Sequence, residues 1–284
     1  MLADRRIGFI GGGAMAEALI GGLIASGVAA QRIRVCEPLR ERCAELRERL
    51  GVEARAEAAT ALVDSDLVVL AVKPDVVPRA LAALRELDLD LARPLWISIA
   101  AGVRVAALEA ALPAKARIVR AMPNTPALVR AGATALCGNA EVDESDRRAA
   151  RALFESVGIA WEAESEELLD AVTGLSGSGP GYVFLFLEAL IDAGVGVGLP
   201  RDAAQRLALQ TVFGAAKLAL ESGRGPAELR EQVSSPGGTT LAGLAELREG
   251  GLRELVARAV AAATRRSSEL GRGSAARPGE RDGC

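Results

Sequence analysis

Short apolar runs alternate with longer stretches of helical periodicity over the first part of the chain. Runs rich in Ile, Val and Leu, each of strand length, occupy residues 6–10, 32–36, 66–72, 95–100, 116–122 and 133–138. Between them, residues 14–25, 39–50 and 76–86 show the apolar spacing of one helix face. The alternation predicts an α/β domain in which a parallel sheet carries helices on both faces.

From about residue 164 the strand pattern stops and only helical periodicity remains. Helices are predicted near residues 166–175, 181–197, 201–221, 227–233, 240–249 and 252–270. The residues after 270 contain few apolar side chains, which predicts disorder. We therefore expect an α/β domain at residues 1–163, an all-α domain at residues 164–270 and a disordered tail at residues 271–284.

Composition indicates a soluble globular protein. Half of the 284 residues are hydrophobic, a quarter are charged, and the formal net charge is -3. No basic stripe is visible, so we expect no nucleic-acid partner. Glu188 and Asp192 interrupt the most apolar run, residues 182–199, which favours a buried or subunit-interface helix over a membrane span. The N-terminal sequence does not read as a signal peptide, and we expect a cytoplasmic protein without a membrane partner.

The chain contains no histidine, and this restricts the chemistry. It excludes Ser-His-Asp and Cys-His nucleophiles, His-ligated zinc and a histidine acid or base. The four cysteines, Cys36, Cys43, Cys137 and Cys284, lack the spacing of a metal site or a disulfide framework. We expect reduced, mostly structural thiols and no metal.

A glycine-rich turn follows the first predicted strand and opens the first predicted helix. After Ile10 it reads Gly11, Gly12, Gly13, Ala14, Met15 and Ala16, a G-x-G-x-x-A pattern. In a Rossmann-type domain these glycines allow a tight turn and close backbone approach to a pyrophosphate, and the helix N-terminus attracts the phosphates. Its context favours a dinucleotide site over a purely structural glycine turn, and we expect residues 10–15 to contact the cofactor.

The end of the second predicted strand carries groups of opposite charge. A carboxylate here binds the ribose 2′-hydroxyl of NAD(H), whereas a basic group accepts the 2′-phosphate of NADP(H). Glu37 favours NAD(H), while Arg40 and Arg42 can receive a phosphate if Glu37 points away. The arginines are equally compatible with exposed positions on an ordinary helix. The expected cofactor is therefore NADP(H) or NAD(H), and the choice stays open.

Three further loops follow predicted strands at their carboxyl ends, where open α/β sheets bind ligands. Their candidate cofactor residues are Ala71, Val72, Lys73 and Pro74, then Ala100, Ala101 and Gly102, and finally Asn124. Asn124 and Thr125 stand between two prolines and form a rigid polar turn, for which structural capping is the alternative.

Two clusters of glycines and hydroxyls occur in the helical half. VTGLSGSGPGYVF, residues 172–184, reads as a break between two helices, and SSPGGTT, residues 234–240, contains residues that disfavour a helix interior. One such break is compatible with a helix corner. Two in one all-α domain predict two walls of a single site.

Six segments in this order resemble pyrroline-5-carboxylate reductases: GFIGGGAMAEALIGGLI, AVKP, SIAAGV, RAMPNTPALV, VTGLSGSGPGYVF and SSPGGTTLAGL. The resemblance covers about residues 5–270. It implies NAD(P)H-dependent reduction of a cyclic imine carboxylate, 1-pyrroline-5-carboxylate, to L-proline, the last step of proline biosynthesis. It also implies a helical domain that builds an intertwined homodimer, with further assembly up to a decamer, and an active site between one subunit's nucleotide domain and helices that include the partner's.

The resemblance also assigns roles to residues. The substrate loop matches Ser235, Gly237, Gly238, Thr239 and Thr240, and Thr240 reaches the ring nitrogen as the catalytic residue that orients it or donates a proton. Glu166 lies where members place a residue near the bound amino acid. A protonated imine is already a strong electrophile, which agrees with a chain that lacks histidine.

Two other functions fit parts of the sequence. A β-hydroxyacid dehydrogenase-like oxidoreductase shares the two-domain plan but brings a lysine to the middle of its helical domain; here Lys217, the only lysine in that half, lies away from both glycine-rich clusters. A non-catalytic nicotinamide-binding regulatory protein has no need to keep the hydroxyls and glycines of residues 234–240.

Overall fold

A computed structural model describes residues 2–275 of the chain. Within these residues one sheet contains eight strands in the order β3-β2-β1-β4-β5-β6-β7-β8. The strands are β1 (Ile7–Ile10), β2 (Ile33–Cys36), β3 (Glu53–Arg55), β4 (Leu67–Leu70), β5 (Leu95–Ser98), β6 (Arg117–Met122), β7 (Gly132–Gly138) and β8 (Gly158–Glu162). Strands β1 to β3 are added towards one edge of the sheet and β4 to β8 towards the other, so the switch point of this doubly wound fold lies between β1 and β4.

In the described residues before 156, six helices accompany the sheet: α1 (Ala14–Ala25), α2 (Arg40–Leu50), α3 (Ala58–Leu62), α4 (Val77–Arg85), α5 (Val105–Ala111) and α6 (Glu144–Glu155). Side chains alternate between two separate cores, with Ile7 and Phe9 of β1 in one and Ile10 in the other. Helices α1, α2 and α6 contribute to the first core, and α3, α4 and α5 to the second. The predicted α/β domain with helices on both faces is therefore confirmed.

One strand pair departs from the expected parallel arrangement. β6 and β7 pair antiparallel, with Val119 opposite Gly138, while the other neighbouring strands are parallel. The connection at residues 123–131 contains only a 3₁₀ turn, Thr125–Val129. A parallel crossover needs a dozen or more residues, so the chain turns back beside β6.

The later part of the chain is helical, as expected. Its helices are α7 (Leu168–Val172), α8 (Gly179–Gly196), α9 (Arg201–Ser222), α10 (Pro226–Gln232), α11 (Thr239–Glu249) and α12 (Leu252–Ala275). The break predicted within residues 172–184 is wrong, because the chain stays helical there. A π-helical turn, Thr173–Gly177, joins α7 to α8, and helical structure runs from Leu168 to Gly196. The glycines here widen the helix instead of ending it.

Contacts divide the chain into two compact units. The sheet unit comprises residues up to Ser178 together with those from Ala262 onward, and the helical unit is Gly179–Ala261. The expected boundary at residue 163 lies earlier, because α7 still packs on the sheet through Leu169, which joins Ala135 and Cys137 in a buried cluster. Helix α12 continues through residues 271–275 of the expected disordered tail, and residues 276–284 lie outside the described part.

The helical unit has a small core and a large apolar surface. Its buried hydrophobic residues among those described are Leu187, Ala204 and Ala208, whereas Phe184, with 59% of its surface accessible, and Phe213, with 60%, are exposed. The stretch Leu168–Gly196 is long and apolar enough to cross a membrane by length and composition alone. Exposed apolar surface of this extent also marks an interface between protein chains.

Candidate active site

Gly11 turns the chain between β1 and α1 in a conformation that only glycine adopts readily. Its φ is 101°, and a Cβ built on it would lie 2.7 Å from the carbonyl oxygen of Ala71. The Gly11 N–H donates to the carbonyl oxygen of Cys36 over 2.8 Å. The first glycine is therefore fixed by its neighbours β2 and β4.

Gly13 is the N-cap of α1, and no side chain caps this helix end. A Cβ added to Gly13 would meet no atom within 4 Å, and Ala14 is also exposed. The start of α1 is therefore exposed at Gly13 and Ala14, and it carries the positive end of the helix dipole. This arrangement fits the pyrophosphate of a dinucleotide.

The predicted cofactor loops meet at the carboxyl edge of the sheet. Ile10 of β1 stands opposite Leu70 of β4, and Leu70 opposite Ser98 of β5. The loop of Ala71 and Val72 touches the Gly11 turn, because a Cβ on Gly11 would lie 2.9 Å from Cγ1 of Val72. Lys73, Pro74 and Ala101 are exposed around it, Met15 is half-buried, and Ala100 and Gly102 are buried. The structure thus brings the glycine turn, the loop after β4 and the loop after β5 to one edge of the sheet.

Glu37 and Arg42 both lie against Gly12. The carboxylate of Glu37 accepts from the Gly12 N–H over 2.9 Å, and Nε of Arg42 donates to the Gly12 carbonyl oxygen over 2.7 Å. Arg40 begins α2 and is exposed. Of the three groups at the end of β2, Glu37 and Arg42 therefore both contact the glycine loop, Glu37 as an acceptor and Arg42 as a donor.

Asn124 is buried and uses both ends of its amide within the fold. Its Oδ1 accepts from the Ala133 N–H over 2.9 Å, and its Nδ2 donates to the Ser176 carbonyl oxygen over 3.1 Å. These bonds tie the end of β6 to β7 and to the π-helical turn. These bonds are structural, but the Asn124 side chain does not cap the 3₁₀ turn that follows it, and a direct role of Asn124 at the cofactor stays a prediction.

Glu166 belongs to a buried ionic network. Its Oε1 accepts from Nη1 of Arg120 and from the Val105 N–H, both over 2.8 Å. The carboxylate therefore neutralises a fully buried arginine and caps the N-terminus of α5. Its predicted place beside the substrate stays a prediction, since both contacts seen here are structural.

Asp170 is the centre of this network, and sequence reasoning missed it. Its carboxylate accepts from Nη2 of Arg104 over 2.5 Å, from the Ser267 hydroxyl over 2.7 Å and from the Ser268 hydroxyl over 2.9 Å. Burial alone would raise the pKa of Asp170, but the two serines and the charges of Arg104 and Arg120 together lower it. The signal was the charged Arg120 inside an apolar strand, because a buried arginine requires an acidic partner.

The network attaches the end of α12 to the loop after β5. A Cβ built on Gly102, whose φ is 76°, would lie 3.4 Å from Cβ of Leu270, and one on Gly271 would lie 2.8 Å from Nε of Arg104. Residues 267–271 thus support the Ala100, Ala101 and Gly102 segment from behind. This contact joins two segments that are far apart in the sequence, so no local pattern predicts it.

The predicted substrate loop lies in the helical unit and ends at the start of α11. Gly237 has a φ of 67°, and Gly238 is the N-cap of α11, without a capping side chain. The Gly238 N–H donates to the Ser235 carbonyl oxygen over 2.9 Å, which closes a tight turn. Thr239 and Thr240 form the first turn of the helix, so the expected helix start near Thr239 is confirmed. The uncapped N-terminus suits a carboxylate.

The described cysteines are buried free thiols. Burial, reinforced by the nearby Glu37 carboxylate, raises the pKa of Cys36 from 9.0 to about 11, and burial also raises the pKa values of Cys43 and Cys137. Cys284 lies outside the described residues. Within residues 2–275, no group of three or more His, Cys, Asp or Glu side chains is placed to hold a metal ion.

Two separate regions of the chain match known protein families. Residues 166–270 match the family described as pyrroline-5-carboxylate reductase dimerisation, and residues 6–102 match the family described as NADP oxidoreductase, coenzyme F420-dependent. A pyrroline-5-carboxylate reductase from Pseudomonas aeruginosa is 46% identical over 271 residues, which are 95% of this chain and 98% of that protein. The chain belongs to the pyrroline-5-carboxylate reductase family.

Solved structures of this family share the fold. The pyrroline-5-carboxylate reductase of Coxiella burnetii aligns with a TM-score of 0.86 and 40% identity, covering 94% of this chain and 98% of that one. The pyrroline carboxylate reductase of Plasmodium falciparum, solved with NADP bound, aligns with a TM-score of 0.83 and 32% identity, covering 95% and 99%. The family resemblance drawn from six sequence segments is thus confirmed over nearly the whole chain.

Proposed function

We propose that this protein reduces 1-pyrroline-5-carboxylate to L-proline with a reduced nicotinamide dinucleotide. The observation that carries the proposal is the 46% identity to a pyrroline-5-carboxylate reductase over 95% of the chain. A family match of this length includes both the glycine turn after β1 and the glycine-hydroxyl loop before α11. Each of these is a preformed site for a negatively charged group.

In this proposal the turn of Gly11, Gly12 and Gly13 holds the dinucleotide pyrophosphate, and the loops after β4 and β5 border the nicotinamide. The bound dinucleotide supplies the hydride that reduces the imine carbon. Within the protein, the contribution of Ala100 and Gly102 is to present backbone without obstruction by side chains. The Asp170 network keeps that segment in place.

The substrate carboxylate binds at the start of α11. Gly237 offers unobstructed backbone, Gly238 closes the turn through its bond to Ser235, and the helix contributes N–H donors and a favourable dipole. Ser235 and Thr239 add hydroxyls at the same turn. Thr240 orients the ring nitrogen and holds or delivers its proton, so that the imine reacts in its protonated, electrophilic form.

Self-association is part of the proposal. Phe184 and Phe213 expose apolar surface on a unit whose sequence matches a dimerisation family. A homodimer buries such faces, and larger assemblies up to a decamer are compatible with the same surface. Burial between subunits also accounts for the apolar stretch Leu168–Gly196 in a protein that we propose to work in the cytoplasm.

The dehydrogenase alternative loses support from the position of Lys217. This lysine lies on α9 with 54% of its side chain exposed, and its Nζ is 3.7 Å from a carboxylate oxygen of Glu221, one helical turn later. The pair is a surface contact of an ordinary helix. A catalytic lysine requires a desolvated place beside the substrate.

The test is oxidation of NADH and of NADPH, each measured separately with purified protein and pyrroline-5-carboxylate. Cofactor oxidation and proline formation are expected with NADH, with NADPH or with each of them. If neither cofactor supports turnover, the proposed function is refuted. Thr240→Ala is expected to lower kcat about 100-fold or more, the range of a lost general acid, with little change in nucleotide affinity. Thr211→Ala, an exposed threonine on α9, is the matched control. An unchanged kcat in Thr240→Ala removes that residue from the mechanism.

A further inference from the structure

The carboxylate of Glu37 has a fixed position at the end of β2. Oε2 accepts from the Gly12 N–H over 2.9 Å and Oε1 accepts from the Leu39 N–H over 3.0 Å. One oxygen is thus bound to the glycine turn and the other to the residue that precedes α2. Only 9% of the Glu37 surface is exposed. The side chain therefore does not point away from the nucleotide loop.

Packing holds the same side chain from its other sides. A Cβ added to Gly12 would lie 3.3 Å from both Cβ and Cγ of Glu37 and 2.7 Å from Cδ1 of Leu46. The Cys43 thiol donates to the Glu37 carbonyl oxygen over 3.0 Å. Glycine at position 12 thus leaves the room that the glutamate fills. Glu37 is part of the wall of the turn rather than a mobile surface side chain.

Arg42 is close to the turn, but its charge is already compensated. Its guanidinium donates to the Gly12 carbonyl oxygen over 2.7 Å and to Glu45 over 2.8 Å, and it also pairs with Glu17. These carboxylates raise the pKa of Arg42 further above its ordinary value. Two acidic partners and a backbone bond leave this arginine little capacity for a phosphate.

We propose that Glu37 makes this protein select NADH over NADPH. The inference rests on the proposed function, and it assigns the cofactor preference of the same site. In Rossmann-type domains that bind NAD(H), a carboxylate at this position accepts a hydrogen bond from the ribose 2′-hydroxyl. A 2′-phosphate in its place brings about two further negative charges against a fixed carboxylate, with Arg42 already neutralised.

The experiment measures binding, independently of turnover. Dissociation constants for NADH and NADPH are determined by isothermal titration calorimetry on the full chain, without substrate. The parent is expected to bind NADH at least about tenfold more tightly, the effect of a like-charge contact in a solvated site. Glu37→Gln keeps an acceptor oxygen but loses the charge, and it is expected to reduce that ratio about tenfold, mainly through tighter NADPH binding.

Two further variants provide controls. Glu37→Asp retains the charge and is expected to retain preference for NADH, which separates the effect of charge from that of disturbed packing. Arg40→Ala alters the exposed arginine at the start of α2 and is expected to leave the affinity ratio unchanged. If Glu37→Gln fails to fold, the parent ratio and the Glu37→Asp ratio still decide the matter.

Different results overturn different statements. A parent that binds NADPH as tightly as NADH, or more tightly, overturns the inference while leaving the reductase function intact. A ratio that responds to Arg40→Ala and not to Glu37→Gln also overturns it and makes Arg40 the determinant. Failure of both nucleotides to bind instead contradicts the proposed function itself.

Discussion

At the scale of single residues, Asp170 connects several buried polar groups that come from different segments of the chain. It satisfies two serines and one arginine directly, and a second arginine, Arg120, lies 3.9 Å away. Asp170→Asn removes the acidic partner of Arg104 and one of the two acidic neighbours of Arg120, which keeps its ion pair with Glu166. We expect the free energy of unfolding to fall by about 3 kcal/mol, the usual cost of breaking a buried pair from one side.

Urea unfolding at a fixed protein concentration measures this loss, since oligomer stability depends on concentration. Glu144→Gln, which removes an exposed ion pair with Arg148, is the control and should unfold as the parent does. The pKa of Asp170 is lowered, so its contribution is present above its ordinary value of 3.8 and lost as the pH falls through the folded value. A difference between parent and Asp170→Asn that persists unchanged to pH 2 contradicts this account.

Cys36 gives a second residue-scale prediction. Because burial raises the pKa of its thiol from 9.0 to about 11, the folded protein holds this proton more tightly than the unfolded chain does. The resulting stability is present below pH 9.0 and lost as the pH rises through about 11. In a Cys284→Ser background, Ellman's reagent at pH 8 should label folded protein far more slowly than protein unfolded in urea. Rapid labelling of the folded protein would contradict the buried, protonated state.

At the scale of elements, the junction of β1 and α1 contains two glycines with different roles: Gly11 is needed for the backbone conformation, and Gly13 is proposed to be needed for nucleotide binding. Gly13→Ala places a methyl group where no atom lies within 4 Å, so the thermal midpoint should change little. Nucleotide affinity should nevertheless fall at least about tenfold, because the proposed pyrophosphate site requires close approach to this backbone. Gly11→Ala forces a side chain at a φ of 101° and a contact of 2.7 Å, which should cost about 2 kcal/mol of stability as well.

These two predictions are tested by measuring the calorimetric affinity for NADH or NADPH and the thermal midpoint of both variants. Nucleotide binding by Gly13→Ala at the parent's affinity would show that its backbone is not approached by the pyrophosphate. A Gly11→Ala protein as stable as the parent would show that the turn relaxes without cost.

The elements also show how far sequence alone reaches. Long buried strands and amphipathic helices follow from hydrophobic spacing, and the start of α11 follows from its glycines and threonines. The sequence pattern does not predict β3 or β8, because neither strand contains a run of buried apolar residues. It does not predict the antiparallel pairing of β6 with β7 either, because an apolar run does not encode the direction of a strand. Local propensity predicts a break at the π-helical turn, because it cannot distinguish a widened helix from an interrupted one.

The candidate site divides in the same way. Its glycine turns carry local signals, so the positions of Gly11, Gly13 and Gly238 were foreseen. The orientation of Glu37, the structural use of Asn124 and the Asp170 network arise from contacts between segments far apart in the sequence. Such contacts are fixed by tertiary packing, and a charged residue within an apolar strand is the only trace that they leave.

At the scale of the whole molecule, the two units differ in how much apolar surface they bury. The sheet unit encloses two extended cores, whereas few hydrophobic side chains described in the helical unit are buried. A unit of exposed phenylalanines and leucines is unfavourable in water as a free surface. Under the proposed self-association a second copy covers this surface, so unfolding should be concentration-dependent.

Phe213→Asp tests this dependence, because it places a charge on the exposed apolar face of α9, where 60% of the phenylalanine is accessible. The parent should sediment as a dimer or a larger assembly, with a thermal midpoint that rises with protein concentration. Phe213→Asp should shift sedimentation towards the monomer and remove that rise. Val129→Asp, at a residue 77% exposed on the sheet unit, serves as the control and should sediment like the parent. A monomeric parent, or a Phe213→Asp protein that assembles unchanged, would mean that this face is not the interface.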